Sequence, residues 1–86
     1  MYKVIYSSQA QKDAKKASEK GLKTNIQKLI NILENNPYQN PPPYEKLIGD
    51  LTGVYSRRIN IQHRLIYQIY KNEKIVKVIR MWTHYE

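Results

Sequence analysis

Three β-prone runs crowd the C-terminal third of this chain: "VYSRRINI" (54–61), "HRLIYQIY" (63–70) and "KIVKVIRMW" (74–82). A parallel pairing of neighbouring strands needs a crossover of about a dozen residues. The connections here are far shorter, a single glutamine and the polar turn "KNEK", so the runs are expected to fold back on one another as an antiparallel meander. In the middle run Leu65, Tyr67 and Ile69 alternate with Arg64, Ile66 and Gln68. The first set reads as the core face, which leaves Arg64 on the more open one. In the run before it, Arg58 alternates with Ser56 and Asn60, and Arg57 with Tyr55, Ile59 and Ile61. Which arginine shares the face of Arg64 depends on the hairpin register, and a slip of one residue exchanges them.

Upstream the pattern changes from strand to helix. "YKVIY" (2–6) reads as a first strand. Ser7 or Ser8 can cap a helix whose Ala10, Ala14 and Ala17 form a narrow small-residue stripe, with Gly21 as its C-terminal punctuation. Leu22, Ile26, Leu29, Ile30 and Leu33 give one apolar face to a second helix, which "NNP" at 35–37 stops. Pro41, Pro42 and Pro43 then favour an extended, polyproline-like loop, and Glu45 follows it directly. The order is β-α-α-β-β-β: an α+β domain spanning 1–86, with a helical hairpin packed on the meander sheet.

Composition narrows the function. No run approaches a membrane span, and the start lacks the apolar core of a signal peptide. There is no cysteine, hence no disulfide framework and no thiolate metal site, as expected in a reducing cytoplasm. Fifteen Lys and Arg against seven Asp and Glu give a net charge of +8, a field that attracts polyanions. Six lysines fall within 11–28, where scattered helical lysines make a solvated face. All four arginines (Arg57, Arg58, Arg64, Arg80) lie in the C-terminal third, and arginine is the better group for planar phosphate contacts.

Metal chemistry is not supported: the two histidines, His63 and His84, are far apart and neither has acidic company. There is no phosphate-binding glycine loop and no nucleophile elbow, so no cofactor is expected. What remains is a carboxylate after a stiffened loop, arginines on strands, and a late histidine beside aromatic residues. RNA cleavage can use such a set. Attack of the ribose 2′-OH on the adjacent phosphate needs a base for the 2′ proton, a cation for charge on phosphorus, and an acid for the leaving 5′ oxygen. Each residue also has a plainer reading. Glu45 can be a solvated loop acid, and an ordinary carboxylate, titrating near ~4.3, is a weak base at neutrality without burial or charge to raise it. Arg64 can be a surface charge, and His84 a surface or packing residue. His63, beside a turn, reads as structural or solvated. Tyr85 could stack on an unpaired base, whereas Trp82 reads as core or partner-facing.

Several stretches together resemble the YoeB/Txe toxins of bacterial toxin–antitoxin modules, a branch of the RelE-like superfamily. These are Glu45-Lys46-Leu47, then "LTGVYSRRI" (51–59), "HRLIY" (63–67), and the His84-Tyr85 ending. The resemblance implies the RelE-like microbial RNase fold and a ribosome-dependent mRNA endonuclease that stops translation. It implies Glu45 as general base, His84 as general acid, Arg64 as the cation on the phosphorane, and Arg58 and Tyr85 as substrate contacts. It also implies ribosome and mRNA as partners, a cognate antitoxin of the YefM/Axe or another type, and a possible homodimer. Two departures stand out. Ile48 replaces a lysine common in the family, for which Lys46 is near enough to substitute as a substrate contact, and Glu86 follows the His-Tyr pair, where its carboxylate is expected to raise the pKa of His84. The competing readings are a non-catalytic basic module binding ribosomal RNA or an acidic partner, and a DNA-binding antitoxin or repressor, for which no helix-turn-helix is recognisable.

Overall fold

The computed structural model describes residues 1–47 and 53–81. Among these the elements run β1 (Lys3–Tyr6), α1 (Ser8–Glu19), α2 (Lys23–Asn35), β2 (Tyr44–Lys46), β3 (Val54–Arg58), β4 (Arg64–Tyr70) and β5 (Ile75–Arg80). They form one sheet in the order β1-β5-β4-β3-β2. β3, β4 and β5 make the antiparallel meander that their short connections require, while β1 lies parallel to β5 and makes the sheet mixed.

The helical hairpin is written into local chemistry. Ser7 caps α1, its hydroxyl accepting from the Ala10 N–H at 3.0 Å. The helix ends where Gly21, at φ +76°, takes a left-handed conformation that costs a side chain about 1–2 kcal/mol. There the Leu22 N–H reaches the Ala17 carbonyl and the Gly21 N–H the Ser18 carbonyl, the paired bonds of a Schellman turn. Leu22 then packs on the core as α2 begins. Ala10 and Ala17 of α1, and Ile26, Leu29, Ile30 and Leu33 of α2, are buried against Leu65, Tyr67, Ile69, Val76 and Val78 of the sheet. Full burial of a side chain such as Leu33 contributes about 1.5–3 kcal/mol.

Three expectations are modified. Glu45 does not lie in a loop: residues 44–46 form a short edge strand, β2, paired antiparallel to β3. The proline segment bends at 41–42, with cis bonds at Asn40-Pro41 and Pro41-Pro42, instead of running on as an extended polyproline helix. β3 also stops at Arg58, short of residue 61. Asn60 turns the chain there, its side-chain carbonyl accepting from the N–H groups of Gln62 and His63. His63 is buried beside that turn, and its backbone carbonyl accepts from the Ile59 N–H.

A charged residue also sits among the core-facing positions. Asp13, on the Ala10–Ala17 stripe of α1, is buried and joins the helix to the end of β5. It accepts from Arg80 Nε at 2.7 Å, from the Met81 N–H at 3.1 Å and from Gln9 at 3.0 Å. Burial alone would push its carboxyl up. The hydrogen bonds from Arg80, Gln9 and Met81, with the Arg80 charge, outweigh that and hold it below the ordinary carboxylate range.

Candidate functional site

Three strands bring the site together through their register. In β3 and β4, Arg58 lies directly opposite Arg64, Arg57 opposite Leu65, and Ser56 opposite Ile66. Because paired residues share a face, this resolves the alternative left open by alternation: Arg58 shares the face of Arg64, and Arg57 points with Leu65 into the core. In β2 and β3, Glu45 lies opposite Ser56. Glu45, Ser56, Arg58 and Arg64 therefore occupy one face of three adjoining strands, away from the helices.

Their side chains, with Pro43 and Tyr44, line an open cavity of about 220 Å³. Arg64 Nη1 lies 3.8 Å from Glu45 Oε1 and donates to the Ser56 hydroxyl at 3.4 Å. That separation is long for an ion pair, and the Glu45 side chain is 69% exposed against 20% for Arg64. Such a contact contributes little to stability, so the exposed Glu45 carboxylate can turn to an incoming ligand. The two arginines meet across the β3–β4 pair, where like charges repel. A bound anion relieves that repulsion.

The burial that a basic carboxylate would need is not supplied by the free protein. Glu45 stands on an edge strand, with water on one side and a cation on the other. Lys46 is not brought to this cavity either. One residue on from Glu45, it pairs with Tyr55 and takes the opposite sheet face, although it is exposed. Ser56, the floor of the cavity, was not singled out by sequence reasoning as a site residue. Its signal was there in the alternation that groups it with Arg58. His84, Tyr85, Trp82, Glu86 and Ile48 lie outside the described residues. Among those described, no three His, Cys, Asp or Glu side chains gather as metal ligands.

Behind the cavity, on the core face, Arg57 is 1% exposed. Its Nε donates to the Tyr67 hydroxyl at 2.9 Å, and its Nη1 to the Pro42 carbonyl at 2.6 Å. Its Nη2 donates to the carbonyls of Pro37 and Gln39 at 2.9 and 2.8 Å. The guanidinium also lies 4.8 Å from the centre of the Tyr44 ring. Burial pushes the Tyr67 phenol up to about 12, against the opposing charge and hydrogen bond of Arg57, so it stays a neutral acceptor at any working pH.

This architecture has close relatives. The family model described as "YoeB-like toxin of bacterial type II toxin-antitoxin system" matches residues 6–85. The chain belongs to that family. A toxin YoeB of Synechocystis is 33% identical over 69 residues, covering 80% of this chain and 78% of its relative. A YoeB–YefM complex from Staphylococcus aureus contains a chain 33% identical to this YoeB-family protein, with a TM-score of 0.80 and 99% of each chain covered. The YoeB/ParE toxin from Agrobacterium tumefaciens superposes with a TM-score of 0.85 at 26% identity, covering 96% of this chain and 99% of the other. The two helices on a mixed five-strand sheet are the RelE-like α+β fold of these toxins.

Proposed function

We propose that this YoeB-family protein is a cytoplasmic, ribosome-dependent mRNA endoribonuclease that needs no metal and is neutralised by a cognate antitoxin. The observation that carries the reading is the grouping of Glu45, Ser56, Arg58 and Arg64 on one open sheet face. A carboxylate stands 3.8 Å from a guanidinium there, and a second guanidinium lies directly across the strand pair.

In the proposed reaction the Glu45 carboxylate accepts the proton of the ribose 2′-OH as O2′ attacks the adjacent phosphorus. Arg64, with Arg58 beside it, neutralises the charge that grows on the phosphoryl oxygens. The bond from phosphorus to O5′ breaks, and His84 donates the proton that O5′ needs. The products are a 2′,3′-cyclic phosphate, which one water can open at the P–O2′ bond to a 3′-phosphate, and a 5′-hydroxyl. Tyr85 stacks on a base, and Lys46 adds to the positive field along the edge strand without entering the cavity.

The exposure of Glu45 gives ribosome dependence a physical form. Covering the cavity with ribosome and mRNA would withdraw water from the carboxylate, so that it meets the 2′-OH in a drier site than the free protein offers. The S. aureus relative assembles with YefM and also forms a dimer. By analogy, an antitoxin segment covers the basic surface of this chain, and a homodimer is available to it. A 2′-deoxy nucleotide placed at the mapped cleavage position tests the chemistry. Loss of cutting at that position is expected, and continued cutting there would exclude 2′-OH attack.

A further inference from the structure

We infer that Arg57 is a positioning residue for Glu45: its guanidinium clamps the 37–43 segment and thereby sets where β2 presents the carboxylate. The inference rests on the proposed role of Glu45.

Arg57 is the largest fully buried side chain of the described residues, and among them no carboxylate pairs with it. A buried cation without a counter-ion is costly unless hydrogen bonds replace its water. Here four of the five guanidinium N–H donors are used, on one phenol and three backbone carbonyls. An apolar side chain of similar volume would fill the space without that cost. What the guanidinium adds is a rigid planar fork with fixed bond directions.

Those directions select a single segment. The three carbonyls belong to Pro37, Gln39 and Pro42, which span the connection from α2 to β2. The cation also lies over the ring of Tyr44, the residue before Glu45. The fourth anchor, Tyr67, is in β4 at the middle of the sheet. Prolines lack the N–H donors that would tie such a segment down by backbone ladders. β2 itself pairs over three residues only. Arg57 thus fastens the approach to Glu45 from one face of β3, while Arg58, the next residue, meets the cavity from the other.

Three variants test this: Arg57→Lys keeps the charge but not the fork, Tyr67→Phe removes one anchor and keeps the core volume, and Glu45→Gln tests the site reading. Amide hydrogen exchange reports positioning without reference to activity, because the Leu47 N–H bonds to the Val54 carbonyl at the end of β2. In Arg57→Lys we expect exchange at Leu47 to quicken by ten-fold or more, with Val76 and Val78 of β5 unchanged. Single-turnover cleavage of ribosome-bound mRNA should slow by roughly 10–100-fold. The toxin concentration giving half-maximal rate should stay within about two-fold, the mark of displaced chemistry and not of lost binding. Wild-type exchange at Leu47, or exchange quickened equally in every strand, would overturn the inference. If Arg57→Lys lacks the native spectrum, Tyr67→Phe decides by the same exchange comparison. Wild-type cleavage by Glu45→Gln would remove the site reading and leave the exchange result to judge the clamp.

Discussion

Arg58 and Arg64 face each other across one strand pair, yet their surroundings differ. Arg64 is held between Glu45 and Ser56, whereas Arg58 is exposed at the end of β3. Arg64→Ala is therefore expected to lower the cleavage rate by about 10²–10³-fold. Arg58→Ala should chiefly weaken RNA binding and reduce the salt slope of affinity by about one. Binding isotherms at several salt concentrations, set beside single-turnover rates, separate the two effects. Asp13 supports a different prediction. Its folded-state pKa is depressed, so its contribution to stability is present above the unfolded value, near about 3.9, and is lost as pH falls through the folded one. Urea unfolding should show Asp13→Asn well below wild type at pH 7 and 5, with the gap narrowing at pH 3. An equal gap at all three would contradict the account. Asp13 is legible in the sequence, because a charge on the Ala10–Ala17 stripe is itself the signal of a buried partner. The choice between Arg57 and Arg58 was not legible. The hairpin between β3 and β4 carries no short turn signature that pins register, and Asn60 sets it through a side-chain bond visible only in three dimensions.

Backbone conformation governs the elements, and two positions of like conformation test it in opposite directions. Gly21 closes α1 at φ +76° with nothing within 4 Å of an added Cβ, so Gly21→Ala should cost about 1 kcal/mol through the backbone alone. Lys74 closes the turn from β4 to β5 at φ 55°, where glycine sits without penalty. Lys74→Gly is expected to gain about 0.5–1 kcal/mol, or several degrees in Tm for a domain of this size. Thermal unfolding of both variants checks the pair, and a loss of stability in Lys74→Gly would contradict it. The helices and the meander could be read in advance because each carries a period and a stop: the Ser7 cap, the Gly21 turn, the alternation of Leu65, Tyr67 and Ile69. β2 could not. It covers three residues, has no alternation of its own, and exists through its pairing with β3. The role of Arg57 stayed hidden for the same reason, since its partners are carbonyls 15 to 20 residues away, which no spacing rule connects.

The whole molecule is a cation whose helical lysines and site arginines lie on opposite sides of the sheet. The lysines of α1 and α2 are exposed on the helical layer, while Arg58 and Arg64 occupy the opposite sheet face. With a net charge of +8, the proposed affinity for RNA should fall steeply with salt, and by more than the two site arginines alone produce. Titrations of wild type and an Arg58→Ala, Arg64→Ala double variant should both keep a salt dependence, the wild type the steeper. Binding that ignored salt would rule out electrostatic capture. In the proposed reaction this fold cuts mRNA on the ribosome with Glu45 and His84 as base and acid. Mapping mRNA ends in a reconstituted translation system, with wild type, Glu45→Gln and His84→Gln and with ribosomes present or omitted, tests it most directly. New 5′-hydroxyl ends are expected with wild type and ribosomes together, and in neither variant. Arrested translation on intact mRNA, or wild-type cleavage by either variant, would contradict it.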